Sequence, residues 1–365
     1  MKAALRIALA GGGTGGHLFP ALAIAEAIRI QRPDAEFLFF GTAGKIEARV
    51  VPKRGFPFRN IWISGFHRSL RLSNLLFPLK VAVSLVQSWI AMRSFRPDVV
   101  VGTGGYVCGP VLLAASMLGI PTVVHESNSY PGVTTRMLAG RATKVLVAFE
   151  ETRRWLKRSD NVEIAGTPVR SGLSRVGRED GCKHFGLDPS ATVILILGGS
   201  LGASSLNRAI AAIVPEILRR GIRVVWQTGG AEEHDYRARF GASGVGVIAG
   251  FIDDMGHAYA AADLVVCRAG ASTVAELTAL GKASILVPYP HAAADHQTKN
   301  ARAMEAAGAA VVIVDEEVER SLSDRIFLLA TDNKRLATMS AAAKARGKEN
   351  AGTEIARTIL GLLRT

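Results

Sequence analysis

The chain has 365 residues, of which 48% are hydrophobic and 21% charged, and its formal net charge at pH 7 is +13. The chain is longer than the size at which one hydrophobic core stops growing, and typical domains have roughly 100–200 residues, so we expect two domains. The composition is that of ordinary globular proteins, which argues against long disordered segments.

Three widely spaced cysteines, Cys108, Cys182 and Cys267, show no metal-ligand spacing. They predict neither a disulfide framework nor a zinc site, and they favour a reducing compartment. The first residues run directly into glycines from Gly11, which predicts a strand rather than a signal peptide. No stretch reaches the roughly 18 consecutive apolar residues that a spanning helix needs, so we expect a protein that does not span a membrane.

In chain order, short runs rich in Val, Ile and Leu alternate with glycines and helical patterns, as is typical of βαβ units with a parallel sheet covered on both faces. The strands predicted in the first half are residues 5–10, 36–40, 99–101, 122–124, 144–148 and 162–165. Helices such as 20–30 and 111–118 lie between them. We expect a first domain over residues 1–167.

After a polar stretch the pattern restarts, which predicts a second domain over residues 168–349. Its predicted strands are residues 192–197, 222–227, 245–249, 263–267, 284–287 and 310–314. A last helix at about 350–365 is expected to pack back onto the first domain. The fold class is therefore α/β, with two Rossmann-like doubly wound parallel-sheet domains whose ligand crevices face each other across a cleft.

The first glycine loop, residues 11–17, contains the spacing G-x-G-x-x-G at Gly11, Gly13 and Gly16. Such a loop lets the N–H groups at a helix N-terminus approach a phosphate, although glycines also serve tight turns that bind nothing. The second predicted strand ends without the acidic residue that would hold the ribose of a dinucleotide. This disfavours a nicotinamide cofactor.

Two more glycine loops, residues 102–106 and 198–203, each follow a predicted strand and precede a predicted helix. The three loops together favour two phosphorylated ligands over three unoccupied turns. Asp-x-Asp, Walker and His/carboxylate patterns that would hold a divalent ion are absent from the sequence. A metal-independent mechanism is the resulting hypothesis, with helix N-termini stabilising a departing diphosphate.

Seven segments, in this order and spacing, resemble the MurG family of glycosyltransferases along nearly the whole chain. They are residues 12–17 (GGTGGH), 104–106 (GGY), 125–128 (HESN), 166–170 (GTPVR), 198–203 (GGSLGA), 268–276 (RAGASTVAE) and 295–297 (DHQ). The resemblance implies the GT-B architecture. It also implies inverting transfer of N-acetylglucosamine from UDP-N-acetylglucosamine to the muramyl 4-hydroxyl of lipid I, forming lipid II, without a cofactor.

The resemblance also implies a donor site, mainly in the second domain. The residues implied for UDP-N-acetylglucosamine are Thr14, Gly15, Gly16, Asn128, Arg170, Ser200, Ile252, Ala271, Glu276 and Gln297. Ser200 and Arg170 would meet the diphosphate and Glu276 the ribose hydroxyls, since a carboxylate can accept from a vicinal diol. Gln297 and Asn128 would bind the sugar hydroxyls. In this family the segment before the glutamine usually carries acidic or amide residues, so His296 is a departure.

For the acceptor, the resemblance implies a diphosphate site in the first two glycine loops. Its residues are Gly13, Thr14, Gly15, Gly104, Gly105 and Tyr106. His17 is the leading candidate for the general base, because an imidazole with a pKa near 6.5 suits proton removal at neutral pH. Glu126 is the competing candidate, and Asn128 lies beside it. His17 could equally donate to a phosphate or cap the helix.

Between residues 61 and 92 the chain mixes apolar and basic side chains, and residues 45–96 carry ten Lys or Arg against the single Glu47. Such a mixture favours contact with an anionic membrane surface. The residues predicted to make it are Leu72, Leu75, Leu76, Phe77, Leu79, Arg68, Arg71 and Lys80. Residues 81–91 are instead predicted to pack as a core helix. A basic chain could also bind nucleic acid, but no such module is present.

Two alternatives share this scaffold. A UDP-N-acetylglucosamine epimerase would need no lipid surface, and a membrane-associated nucleotide-sugar sensor would need no His17. The resemblance favours the transferase, placed peripherally at the cytoplasmic face of the bacterial inner membrane.

Overall fold

The structure, a computed structural model of the chain, describes residues 4–65, 76–169, 173–199, 202–292, 295–348 and 350–363. The chain divides into two compact units. The N-terminal unit comprises Met1–Arg170 and Lys348–Thr365, and the C-terminal unit comprises Ser171–Gly347.

The N-terminal unit is built on a seven-stranded parallel sheet. Its strands are β1 (Arg6–Ala10), β2 (Glu36–Gly41), β3 (Phe58–Asn60), β4 (Val99–Gly102), β5 (Thr122–Glu126), β6 (Lys144–Val147) and β7 (Val162–Ile164). Their order is β3-β2-β1-β4-β5-β6-β7. The order reverses between β1 and β4, and in such sheets a ligand crevice opens outside the carboxyl ends of the strands at this point.

Helices cover both faces of this sheet. They are α1 (Gly15–Gln31), α2 (Ile46–Lys53), α3 (Phe77–Phe95), α4 (Cys108–Met117), α5 (Val133–Leu138) and, from the end of the chain, α14 (Ala351–Gly361). Side chains alternate along β1, so Ile7 and Leu9 join the core under α1 and α14, while Ala8 and Ala10 join the core under α4. The terminal helix α14 packs on α1, with Ile355 fully buried.

The C-terminal unit repeats this plan with a six-stranded parallel sheet. Its strands are β8 (Val193–Leu197), β9 (Arg223–Gln227), β10 (Gly246–Ala249), β11 (Leu264–Cys267), β12 (Ser284–Leu286) and β13 (Ala310–Val312), in the order β10-β9-β8-β11-β12-β13. Its helices are α6 (Arg178–His184), α7 (Ser204–Arg219), α8 (Glu233–Phe240), α9 (Met255–Ala261), α10 (Ala271–Leu280), α11 (His296–Ala306), α12 (Val318–Ala330) and α13 (Asn333–Arg346). The order reverses between β8 and β11.

The predicted strands are all present, with ends that differ by one or two residues. The prediction missed β3, an edge strand in which only Phe58 is apolar and both Arg59 and Asn60 are exposed. It also began the first helix at Pro20, whereas α1 begins at Gly15. Glycine has a low helix propensity, and here packing against the neighbouring loop overrides it.

The prediction for residues 81–91 was only half right. One face of α3, with Ser84, Ser88, Ala91 and Met92, is buried and packs towards α4. The opposite face exposes Val86, Trp89 and Ile90, by 56%, 38% and 52% respectively. The periodicity alone could not distinguish the two faces, because both carry apolar side chains. Among the described residues, no helix is both long and apolar enough to cross a bilayer.

Candidate active site

In the N-terminal unit, the two glycine loops meet where the strand order reverses. Gly104 and Gly105 follow β4 with φ angles of +106° and +83°, a region that favours glycine. A Cβ at Gly104 would lie 2.5 Å from His17 Nδ1, and one at Gly105 would lie 2.4 Å from Gly12 O. Both glycines are therefore required for the second loop to pack against the first loop and against the imidazole.

His17, in the first turn of α1, is held by two contacts with Thr103. Its Nδ1 lies 3.1 Å from the Thr103 carbonyl oxygen, and the Thr103 hydroxyl donates to the His17 carbonyl at 2.7 Å. A carbonyl can only accept, so Nδ1 carries the proton. In the neutral ring Nε2 is then the basic nitrogen, which is the tautomer that a general base requires.

A buried carboxylate that the sequence analysis did not single out shapes the first loop. Glu47, in the first turn of α2, is fully buried and accepts from Gly13 N at 3.0 Å, from Thr42 N at 3.2 Å and from the Thr42 hydroxyl at 2.8 Å. A Cβ at Gly12 would lie 2.6 Å from Glu47 Oε1. The first glycine loop is thus folded around a carboxylate of its own chain.

This contact alters the expected role of Gly13. Its N–H, predicted to bind the acceptor diphosphate, donates to Glu47 instead. The helix-terminal donors expected for an anion are then those of Gly15 and Gly16, since the first N–H groups of a helix have no intrahelical acceptor. Thr14 lies at the N-cap of α1 with an extended backbone.

Tyr106, in the second glycine loop, packs its ring against the first glycine loop. A Cβ at Gly13 would lie 2.7 Å from the Tyr106 ring, and the Tyr106 hydroxyl is 3.3 Å from the Thr42 hydroxyl. Cys108, two residues further on, is the first residue of α4, and its Sγ lies 2.9 Å from the Ala10 carbonyl and accepts from Gly104 N at 3.2 Å. Burial raises the pKa of the Cys108 thiol to about 12, so it packs as a thiol.

Glu126 is engaged by four donors. Oε1 accepts from the backbone N and the side-chain Nδ2 of Asn128, at 3.0 and 2.9 Å, while Oε2 accepts from Gly132 N at 3.0 Å and the Thr135 hydroxyl at 2.7 Å. A carboxylate held in this way organises the loop after β5. Through Oε1, Glu126 also holds the side-chain amide of Asn128 in place.

The preceding residue, His125, is fully buried. Its Nε2–H donates to the Gly166 carbonyl at 2.8 Å. Burial lowers the pKa of His125, so the ring is neutral in the folded protein. His125 thereby ties β5 to the segment that follows β7.

In the C-terminal unit, the glycine loop after β8 also depends on its glycines. Gly199 and Gly202 have φ angles of +86° and +83°, and a Cβ at Gly202 would lie 2.3 Å from the Thr228 carbonyl oxygen. Gln227, at the end of β9, donates to Gly199 O at 2.9 Å and accepts from Ile252 N at 3.0 Å. Ile252 is one of the residues that the resemblance implies for UDP-N-acetylglucosamine, and its N–H already donates to Gln227.

Glu276 lies in α10, the helix that follows β11. Strand β11 lies beside β8, where the strand order of this sheet reverses. Glu276 is buried, and its Oε2 accepts from the Tyr259 hydroxyl at 2.9 Å. The same helix begins at Ala271, whose N–H belongs to the first turn. Tyr259, which the sequence analysis missed, therefore orients the carboxylate predicted to bind the ribose.

Around the end of β11, Arg268 joins three segments of the C-terminal unit. Its guanidinium donates to Asp315 Oδ1 at 2.5 Å, to the Ser205 hydroxyl at 3.1 Å and to the Pro288 carbonyl at 3.2 Å.

Among the other residues predicted for the donor, Gln297 is described by the structure, and its Oε1 accepts from Tyr289 N at 2.9 Å. His296, the departure from the family pattern, is the first residue of α11. Arg170 and Ser200 lie outside the described residues.

Comparisons with known proteins show the family of the chain. Residues 7–147 match the glycosyltransferase family 28 N-terminal domain, and residues 193–355 match the C-terminal domain of the same family. A Salinibacter ruber protein named UDP-N-acetylglucosamine–N-acetylmuramyl-(pentapeptide) pyrophosphoryl-undecaprenol N-acetylglucosamine transferase is 43% identical, over 98% of this chain and 96% of the relative.

Two solved structures are also similar. The crystal structure of Acinetobacter baumannii MurG matches with a TM-score of 0.75 and 28% identity, covering 98% of this chain and 99% of that one. A putative UDP-N-acetylglucosamine 2-epimerase from Listeria monocytogenes matches with a TM-score of 0.71 but 12% identity, over 99% of this chain and 96% of that one, which shows a shared fold alone. The chain belongs to the MurG family of glycosyltransferases, within glycosyltransferase family 28.

Proposed function

We propose that the chain transfers N-acetylglucosamine from UDP-N-acetylglucosamine to the muramyl 4-hydroxyl of lipid I, forming lipid II. The observation that carries this proposal is the full-length likeness to a transferase of that name, in a chain whose His17 is held in the tautomer of a general base. The MurG structure, similar over nearly the whole chain, supports the same activity.

The donor is assigned mainly to the C-terminal unit. Glu276, oriented by Tyr259, would accept from the ribose hydroxyls, and Gln297 would bind the sugar. The N-terminus of α10 at Ala271 and the loop with Ser200 would face the diphosphate, with Arg170 as a further cation. Asn128 of the N-terminal unit would contribute to the sugar, with its amide fixed by Glu126.

In the reaction, His17 Nε2 would take the proton from the acceptor hydroxyl. The hydroxyl oxygen forms its bond to the anomeric carbon while the bond from that carbon to the UDP oxygen breaks, with inversion. The charge that develops on UDP would be stabilised by helix N-termini and Arg170, so we propose a reaction without a cofactor or metal ion. Loop donors at Gly15, Gly16 and Gly105 would hold the acceptor diphosphate.

The test of this mechanism is His17→Ala. We expect kcat to fall by about 10²–10⁴-fold, the usual contribution of a positioned base. UDP binding, measured by calorimetry, should be unchanged, because the donor is held by other residues. The matched control is His234→Ala, an exposed histidine of α8, which should leave turnover intact. Full turnover in His17→Ala would show that another group is the base.

We also propose that α3 binds an anionic membrane surface, at the cytoplasmic face of the inner membrane. What supports this is an apolar face that includes exposed Leu76 and Leu79 and continues to Ile90. Arg93 lies over the Trp89 ring at 4.6 Å, which places a cation beside that face. Lys80 donates to Ser64 at 3.0 Å, and Phe77 is half-buried. Four other predicted residues, Arg68, Arg71, Leu72 and Leu75, lie outside the described residues.

Sedimentation with phosphatidylglycerol vesicles tests the surface. The double substitution Leu79→Gln and Ile90→Gln removes two exposed apolar groups, and burial of each such group stabilises by about 1.5–3 kcal/mol. Because each of the two side chains is only about half exposed, together they contribute roughly 1.5–3 kcal/mol, and we expect vesicle binding to weaken by about tenfold or more. Leu328→Gln, at an exposed leucine of α12 in the other unit, should not change it. Equal binding by the double variant and the control would refute the assignment.

A further inference from the structure

In the C-terminal unit, α6 and α9 pack in direct backbone contact at Gly181. A Cβ there would lie 2.7 Å from Ala261 N and 2.8 Å from His257 O, so no larger residue fits. This approach brings His184, the last residue of α6, beside His257 in the first turn of α9. The two imidazole rings stack with centroids 4.3 Å apart and an interplanar angle of 23°.

A carboxylate completes the cluster. Asp254 is the N-cap of α9, and its Oδ1 accepts from His257 N at 3.2 Å. Its Oδ2 lies 2.7 Å from His257 Nδ1. That buried nitrogen nevertheless makes no hydrogen bond of acceptable direction within the described part of the chain. An imidazole nitrogen and a carboxylate oxygen therefore lie side by side, and both are ligand atoms that a divalent transition-metal ion accepts.

Contrary to the expectation from the sequence that no His/carboxylate cluster would hold a divalent ion, we propose that His184, Asp254 and His257 bind a transition-metal ion of the zinc class. One ligand atom from each residue lies within 4.8 Å of the others. Zinc bonds of about 2.0–2.2 Å require the ligand atoms to approach to roughly 3.5 Å of one another. The lone pairs of two stacked rings lie in nearly parallel planes, so binding would require the His184 side chain, which is exposed at a helix end, to rotate out of the stack and towards the other two ligands. Water would fill the remaining coordination position.

The ligand types select the ion. Imidazole nitrogens suit zinc, cobalt, nickel and copper, whereas calcium and magnesium prefer an all-oxygen shell. An open depression of about 460 Å³ borders both histidines and is also lined by Arg175, Asp180 and Lys183. Its two basic side chains oppose a bound cation and Asp180 partly offsets them, so we expect weaker binding than at a closed structural zinc site.

The bound ion would join α6 to α9. The latter helix also carries Tyr259, which orients Glu276. Metal binding would therefore stiffen the helix behind the carboxylate that we assign to the donor ribose. This consequence rests on the proposed function, whereas the metal site itself does not.

The test is calorimetric titration of the EDTA-treated, dialysed full chain with ZnCl₂, and cobalt absorption spectra as a second readout. We expect one zinc per chain and no heat with MgCl₂. His184→Gln and Asp254→Asn should each weaken binding by at least about 10–100-fold, the range seen even for outer-shell partners. Asparagine still caps a helix, so Asp254→Asn removes charge without removing the cap.

His234→Gln, at an exposed histidine of α8, is the matched control and should bind zinc as the wild type does. Zinc binding that survives both ligand substitutions, or the absence of binding by the wild type, would overturn the site. Heat with inorganic phosphate but not with zinc would identify the depression as an anion site and would equally refute the proposal. None of these outcomes depends on transferase activity.

Discussion

Glu47→Gln tests whether a buried carboxylate shapes the loop beside His17. Glutamine keeps one acceptor oxygen for Thr42 but turns an NH₂ group towards the Gly13 N–H, so the 3.0 Å hydrogen bond is lost. A hydrogen bond to a charged group contributes about 1.5–3 kcal/mol, and an unsatisfied buried donor costs about 1–3 kcal/mol. Both figures describe the same lost hydrogen bond, so they are not simply added. We expect the free energy of unfolding of the variant to be about 2–4 kcal/mol lower.

For a unit of this size each kcal/mol shifts the melting temperature by about 2–4 °C, so thermal unfolding should occur about 5–15 °C lower. Initial rates should show a raised KM for the lipid I analogue and an unchanged KM for UDP-N-acetylglucosamine, because we propose that this loop holds the acceptor diphosphate. The control is Glu36→Gln, whose exposed carboxylate pairs with Arg6 at 2.9 Å and contributes at most about 1 kcal/mol. Identical melting and identical acceptor KM in both variants would refute the reasoning.

Three further predictions concern Tyr259, His125 and the thiols. Tyr259→Phe removes the 2.9 Å hydrogen bond to Glu276 and should raise the UDP dissociation constant about 5–10-fold in calorimetry; an unchanged constant would exclude the orienting role. Burial lowers the pKa of His125, so its contribution to stability is present above the unfolded value of about 6.5 and is lost as the pH falls below it. Melting between pH 7.5 and 5.5 should therefore shift less in His125→Gln than in the wild type, and equal shifts would contradict this. Burial raises the pKa of Cys108 to about 12 and all three cysteines are buried, so Ellman's reagent at pH 8 should label them only after unfolding; rapid labelling of the native protein would contradict this.

Most of the fold was predictable because each buried parallel strand is a continuous apolar run of its own. Strand β3 was not, since an edge strand exposes much of its surface and here carries Arg59 and Asn60. The two faces of α3 were also indistinguishable in sequence. Which apolar face is buried depends on α4, not on any pattern within α3 itself.

The glycine loops, and the position of His17 at the end of the first of them, were predictable because their spacing is local. The residues that hold them were not, because their partners are distant in sequence. Glu47 lies 34 residues from Gly13, and Tyr259 lies 17 residues from Glu276. Conversely, Glu126 was a candidate base because a sequence cannot show that four donors already surround its carboxylate.

Acceptor-dependent sugar transfer can be measured as UDP release from UDP-N-acetylglucosamine with and without a short-chain lipid I analogue, in detergent and EDTA. We expect release only with the acceptor, together with formation of the disaccharide product. Release without the acceptor would indicate epimerase or hydrolase chemistry, and tight donor binding with no release would indicate a sensor; either result would contradict the account.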